Sequence, residues 1–547
     1  MSQSKLQEIV EGAFMNIREA KEEIKNTIKA YLMRNEDGEY AIDYIRQRPL
    51  LLIGPPGVGK TQIMEQISRE CRIGLVAYTI THHTRQSAIG LPYIERKEYG
   101  GKEMAVTEYT MSEIVASVYD YMEETGVREG ILFIDEINCV SETLAPTMLQ
   151  FLQGKTFGNH RIPEGWIIVA AGNPAEYNKS VREFDIVTLD RIRKIDVVPD
   201  LEAWKKYAFE AGIHPAVVTY LGIKEKNFCR IETTVDGKFF VTPRGWEDLS
   251  KLIYVYEKLG LPVGRETIGE YLQFPETAKD FANYYELYNK YQSAYRVDEI
   301  LSGRIDESLC DRFEKAPFDE KYSVTGLIVS RLSSDAVRLS DRAAYMTELK
   351  ERLTILKTEL YKNVILKTEL YEGDLARADD DAEDSVDSRA RKEGGSSIND
   401  RINSYIKELS DKLSKDSAAR IITKKEHKLR ENIADFLRRM VVIIGEQGIT
   451  DETKAWGIIS GEYNKAADEY EDSFDELGLK LEHAFDFMEA VFGAGQEMVM
   501  FMTALNSNPA IPEFLKDYDC ERYFQYNKEL LFDDREDRIK ERISEMI

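Results

Sequence analysis

Cysteine is scarce in this chain: Cys71, Cys139, Cys229, Cys310 and Cys520 are all there is in 547 residues, odd in number and with no CxxC pair. That excludes a disulfide framework and a thiolate zinc site, and it suits a reducing compartment such as the cytoplasm. Positive charge is short as well. Lysine and arginine total 73 against 98 aspartates and glutamates, a net charge of −25. Such a surface repels phosphate backbones and anionic lipid, so coating of nucleic acid or membrane is disfavoured. Long hydrophobic runs are missing too. The richest stretch, AVFGAGQEMVMFMTAL (490–505), is broken by Gln496 and Glu497. It falls short of the ~18 residues that cross a bilayer and reads as a buried helix. The N-terminal MSQSKLQEIVEGAF lacks a charged-then-apolar leader pattern. The expectation is a soluble cytoplasmic protein with no membrane element.

What the sequence does hold is enough apolar residues, 43%, to fill cores, in a length that implies about three folded units. Leu6, Ile9, Val10, Ala13, Phe14 and Ile17 recur at helical spacing, so residues 3–34 read as a helix within an N-terminal segment 1–40. From 41 to 200 the pattern changes to apolar runs between helical stretches: PLLLIG (49–54), GLVAYTI (74–80), GILFIDE (130–136), GWIIVAAGN (165–173) and RKIDVV (193–198). Runs this continuous are buried on both faces, as a parallel sheet between helices requires. Residues 201–275 read as a small helical domain carrying a hairpin around Asp236-Gly237 (231–242).

The rest reads as mostly α-helical: an extension 276–372, an acidic, flexible linker 373–399, and a C-terminal helical domain 400–547. Met346, Leu349, Leu353, Leu356 and Leu360 form a short heptad seam. A near-perfect repeat, ILKTELYKNV then ILKTELYEGD (355–374), turns its second copy roughly 80° off the first. It has no functional account.

The chemistry concentrates between 54 and 173. GPPGVGKT (54–61) fits G-x-x-x-x-G-K-[ST] after an apolar strand and before a helical segment. Gly54, Gly57 and Gly59 let the loop wrap closely and turn its amides outward, and Pro55, Pro56, Val58 and Gln62 complete the segment that would hold a nucleotide. Lys60 neutralises β- and γ-phosphate charge, and Thr61 offers a hydroxyl to Mg²⁺. ILFIDE (131–136) ends in an acidic pair: Asp135 would hold Mg²⁺ through its water shell, and Glu136 would polarise the attacking water. Asn173, ending the strand WIIVAAGNP (166–174), is suited to donate to the γ-phosphate while accepting from that water.

With these motifs on one chain, the sequence resembles AAA+ ATPases, and within them the MoxR branch. The likeness is carried by GPPGVGKT, ILFIDEIN, ETLAPTMLQFLQ (142–153), HRIPEGWIIVAAGNP (160–174), FDIVTLDRI (184–192) and TPRGWEDLS (242–250), covering about residues 45–260. The resemblance implies an α/β ATPase domain, a helical lid at 201–275, ATP and Mg²⁺ as ligands, and a homo-oligomeric, usually hexameric ring. It also implies that Arg191 is the arginine projected into the neighbouring subunit's site, with Arg193 and Arg182 as competitors. Ile192 departs from the family's usual phenylalanine there. Arg244 matches the lid arginine that reads the γ-phosphate.

The family places an insert on the pore face where THHTRQSAIGLP (81–92) stands, which makes Arg85 a candidate contact for a polypeptide substrate. His82 and His83, with no carboxylate or cysteine near, are poorly arranged for a metal. Partner proteins of the family commonly bear a von Willebrand factor A domain. The expected activity is ATP hydrolysis that remodels, activates or assembles a partner protein. The alternatives are a nucleotide-gated scaffold that hydrolyses slowly, and a nucleic-acid-dependent motor, which the acidic charge disfavours.

Overall fold

The structure is a computed structural model. It describes residues 14–528 except 83–87, 89, 158, 175–176, 178–180, 182–183, 235–236, 295, 305–306, 376–396 and 420. The five apolar runs become strands of one sheet: β2 (Leu50–Ile53), β3 (Gly74–Thr79), β4 (Gly130–Asp135), β5 (Trp166–Gly172) and β6 (Arg193–Val198). A sixth strand, β1 (Phe14–Asn16), joins at the edge, giving the order β1-β6-β2-β5-β4-β3 with every pairing parallel.

Burial explains why the runs are unbroken. Leu50, Leu52, Ile131, Phe133, Ile167 and Val169 pack with α1 (Ile17–Leu32) and α2 (Lys60–Cys71) in one core. Their neighbours Leu51, Leu132, Ile134, Ile168 and Ala170 pack with α3 (Glu113–Thr125) and α4 (Ala145–Gly154) in another. Alternate side chains point to opposite faces, and both faces are covered. Each fully buried Leu or Ile contributes about 1.5–3 kcal/mol, so the sheet is the rigid part of the site.

Three local features differ from the expectation for the first 200 residues. The helix expected over 3–34 begins at Ile17, because Asn16 caps it: its Oδ1 accepts from Arg18 and Glu19 N, and Glu19 reaches back to Asn16 N. Phe14, placed on a helical face from the sequence, and Met15 beside it lie instead in β1 against Asp196 and Val197. Residues 1–13 lie outside the described set. The insert after β3 includes an antiparallel hairpin of two eight-residue strands, Pro92–Tyr99 and Lys102–Tyr109, turning at Gly100 and Gly101, both left-handed.

The chain divides into two compact units, Met1–Asn289 with Asp416–Ile422, and Lys290–Lys415 with Thr423–Ile547. The first therefore runs past 275. Helix Pro275–Ala294 carries Phe281, Tyr285 and Tyr288 into the aromatic packing of Tyr220, Trp246 and His214. Within this unit Arg230–Thr234 and Gly237–Val241 pair as the hairpin read from the sequence; Asp236 of its turn lies outside the described residues.

Among its described residues the second unit is helical, with two cores. In one, the heptad residues Leu349, Leu353, Leu356 and Leu360 pack with Ile402, Leu437 and Ile459. In the other, Phe485 and Phe487 meet Phe313 and Phe501. The 276–372 and 400–547 segments thus share these cores. The long helix Phe318–Leu375 takes in the 355–374 repeat, and most of the 373–399 linker lies outside the described residues. The apolar stretch 490–505 is split at Gly493, with helix Gln496–Ser507 burying Met498, Phe501, Met502 and Leu505. Among the described residues, no helix is long and apolar enough to cross a membrane.

Candidate active site

Parallel pairing brings the carboxyl ends of β2, β4 and β5 to one edge of the sheet, where the chain departs from β2 on one side and returns to β6 on the other. The loop Gly54–Gly59 leaves β2 there and feeds α2. Gly57 and Gly59 have φ of +80° and +96°, the left-handed region in which a side chain is strained. Gly54 serves differently: its backbone is ordinary, but a Cβ there would stand 2.6 Å from Val197 O. Gly59 sits at the N-cap of α2 without any side-chain cap, so the first amides of the helix are left for an external acceptor.

Lys60, only 8% exposed, donates from Nζ to Gly54 O at 2.6 Å, Pro55 O at 2.9 Å and Asn173 Oδ1 at 3.0 Å. Burial, abetted by the Arg244 charge and opposed by Asp135 and Glu136, pulls its pKa down to about 8. Thr61 Oγ1 donates to Asp135 Oδ2 at 3.0 Å, which joins the helix start to the end of β4. Asp135 Oδ1 accepts from Glu136 N at 2.9 Å. Glu136 itself is left-handed, φ +58°, and its Oε2 accepts from Thr81 Oγ1 at 3.0 Å. A non-glycine residue held in that region at a site edge is stored backbone strain.

The structure thus brings these residues together at one sheet edge as two hydrogen-bonded pairs, Lys60 with Asn173 and Thr61 with Asp135, with Glu136 next to Asp135. Arg244 joins from the other side. It is the second residue of helix Pro243–Leu259, capped by Thr242, and a Cβ on Gly57 would lie 3.2 Å from Arg244 Cβ. Gln62 Nε2 reaches the Tyr207 hydroxyl at 3.5 Å, and Tyr207 donates to Glu247 on that same helix at 3.1 Å.

Arg191 is exposed and bonds Gln153 on α4, and it forms no salt bridge among the described residues. Arg193 lies in β6 and is engaged by Glu23 and Thr27 of α1. Arg182, His83 and Arg85 lie outside the described residues.

Two polar residues were not singled out from the sequence. Thr81, just beyond β3, holds Glu136. Asn138 is 5% exposed and bonds the main chain of Asn173 in both directions. A polar residue inside the apolar stretch after the acidic pair was the available signal for Asn138. Nothing in the sequence pairs Thr81 with a residue more than fifty positions away.

The donors fit a triphosphate with a hard divalent cation: a loop of left-handed glycines, uncapped helix amides, a buried ammonium, and a hydroxyl–carboxylate pair of oxygens. Among the described residues there is no cluster of three or more His, Cys, Asp or Glu side chains able to hold a metal unaided. Mg²⁺ at this site would therefore draw on Thr61, Asp135, water and the phosphates themselves.

Residues 49–192 match the family model of the AAA domain, dynein-related subfamily. Among solved structures, this chain is similar to that of a candidate ATPase from Cytophaga hutchinsonii, with 16% identity over 38% of this chain and a TM-score of 0.22. The match spans 56% of that structure's own length, and a score this low adds nothing to the fold described above. No curated protein matches the chain.

Proposed function

We propose that this chain, an AAA+ P-loop ATPase domain over residues 49–192, is a MoxR-like ATPase that hydrolyses ATP and uses the energy to remodel, activate or assemble a partner protein. The observation that carries the reading is the convergence of Lys60, Thr61, Asp135, Glu136 and Asn173 at one sheet edge. ATP is the substrate. Residues 54–62 would hold its phosphates, with Lys60 against the β- and γ-groups. Thr61 and Asp135 would hold Mg²⁺, which when bound neutralises phosphate charge.

Glu136 takes the proton of the attacking water as its oxygen bonds to the γ-phosphorus and the bond to ADP breaks. Asn173 orients that water and the γ-phosphate. Arg244 senses the triphosphate from the lid, residues 201–275, whose closure excludes water. Arg191 acts in trans, stabilising charge in the neighbouring subunit's site. That role demands a ring, for which a homohexamer is the family's usual form. The exposure of Arg191, and the engagement of Arg193 with α1, support this choice of finger. The partner would be a protein, with a von Willebrand factor A domain the family's usual companion.

The test is ATP turnover with Mg²⁺ measured across protein concentration. Steep activation on assembly is expected, together with capture of a partner from native cells by a Glu136→Gln variant that binds ATP without turning it over. Absence of adenine-nucleotide affinity in the presence of Mg²⁺ would overturn the reading. A near-zero rate that stays flat with concentration would favour a nucleotide-gated scaffold.

A further inference from the structure

Asn138 has no part in the roles just given, yet its surroundings are unusually specific. It lies in the tight turn Ile137–Cys139 that follows Glu136. Its Nδ2 donates to Asn173 O at 2.7 Å while its Oδ1 accepts from Asn173 N at 3.3 Å. The two bonds run in opposite senses, so only one orientation of the carboxamide satisfies both. Room for it exists because residue 172 is glycine: a Cβ there would stand 2.5 Å from Asn138 Oδ1. The main chain so held, on both sides of its Cα, is that of the residue whose side chain reaches Lys60 Nζ. At its other end, the Asn138 turn begins at the left-handed Glu136. One buried side chain therefore ties the end of β4, with its carboxylates, to the end of β5, with its amide.

We propose that Asn138 is a positioning residue for ATP hydrolysis, holding Asn173 and the Glu136 turn in register so that both address the γ-phosphate together. The proposal rests on the ATPase reading above. It acts on geometry at the reacting end and leaves the phosphate grip of residues 54–62 intact, so its signature is a split between kcat and KM.

The test is steady-state ATPase of the full-length chain with Mg²⁺, paired with titration of a non-hydrolysable ATP analogue. Asn138→Ala should lower kcat by about ten-fold or more while KM and analogue affinity stay within about three-fold. Asn173→Ala should lower kcat by itself, and the Asn138→Ala/Asn173→Ala double variant should lose less than the product of the two single losses, because the first residue acts in part through the second.

Gly172→Ala, which pushes the carboxamide away without altering it, should give the same split. If the alanine variant does not fold, the near-isosteric Asn138→Asp, which loses the Nδ2 donor, carries the same expectation. Wild-type kcat in any folded Asn138 variant, strictly additive losses with Asn173→Ala, or a loss confined to KM would overturn the proposal. A wild-type protein that neither binds nor turns over ATP overturns the ATPase reading itself, a result distinct from any of these.

Discussion

The Lys60 ammonium donates to Asn173 Oδ1 at 3.0 Å, joining the phosphate loop after β2 to the end of β5. Gly54 O and Pro55 O take its other two protons. An ammonium has three donors and no acceptor, so all of its capacity is committed within the chain. A phosphate oxygen arriving at Lys60 competes with placed acceptors, and the amide released by that competition is the one assigned to the γ-phosphate. On the function proposed above, charge recognition at Lys60 and water orientation at Asn173 would thereby be linked.

Nucleotide affinity should fall as pH rises through about 8. Burial lowers the Lys60 pKa to that value, so the binding-competent cation is full below it and lost above it. At pH 9, one unit above, about one tenth of the protein retains the charge, and affinity for a fluorescent ATP analogue should be about ten-fold weaker than at pH 6.5. Lys60→Arg stays charged throughout and should flatten the profile, at lower overall affinity because the fork geometry does not fit a point-charge site. A flat wild-type profile between pH 7 and 9 would rule out this assignment.

Glu136 offers a separate test of strain. Its left-handed backbone costs about 1–2 kcal/mol, which glycine relieves, while glycine's extra freedom in the unfolded chain costs about 0.5–1 kcal/mol. Glu136→Gly should therefore match or slightly exceed Glu136→Gln in urea midpoint, and both should lose turnover. If the glycine variant is less stable than the glutamine variant by more than about 1 kcal/mol, the backbone there is relaxed.

That the glycine loop 54–59, the acidic pair and Asn173 meet at one sheet edge was readable in sequence, because each follows an apolar run and a parallel sheet aligns the ends of such runs. The five main strands were readable for the same reason. β1 was not, because Phe14 fits the helical stripe of Val10, Ala13 and Ile17 as well as it fits a three-residue strand. The capping pair Asn16 and Glu19 was the cue that outweighed periodicity. The exposed hairpin 92–109 has a Gly-Gly turn, but its strands mix charged and apolar residues on both faces and so show no clean alternation. Asn138 and Thr81 act through contacts that only the folded sheet creates, and the separation between Arg191 and Arg193 depends on which of them α1 engages.

Two glycine substitutions in the same loop should fail in different ways. At Gly57, alanine must adopt a φ of +80° and its Cβ meets Arg244 Cβ at 3.2 Å and Thr242 Cβ at 3.3 Å. Those side chains belong to the start of helix Pro243–Leu259, which can shift, so Gly57→Ala should fold and lose nucleotide affinity by about ten-fold or more. At Gly54 the obstacle is Val197 O, main chain in the adjoining strand, at 2.6 Å. Gly54→Ala should instead lower the unfolding free energy by an amount typical of overpacking, about 1–3 kcal/mol. Reversal of the two phenotypes, read by analogue titration and urea unfolding, would contradict the loop geometry.

Arg191 and Arg193 stand two residues apart and should answer to different measurements. Arg193 pairs with Glu23 and donates to Thr27 Oγ1 at 2.8 Å, with its side chain 40% exposed. Arg193→Ala should cost about 1 kcal/mol of stability, while turnover per folded molecule persists. Arg191 is exposed, as are Ile186 and Val187 of the short helix before it, at 84% and 59%, so its removal should move stability by less than about 0.5 kcal/mol. Turnover should fall by roughly 10³-fold if it completes a neighbour's site.

The trans assignment has a sharper consequence. An Arg191→Ala subunit keeps Glu136 and lacks the finger, whereas a Glu136→Gln subunit has the reverse defect. Mixed in equal amounts in a ring of like interfaces, about one interface in four sets an intact Glu136 against an intact Arg191, and about a quarter of wild-type activity should return from two inactive parents. No recovery on mixing, in samples shown to exchange subunits, would place the finger elsewhere.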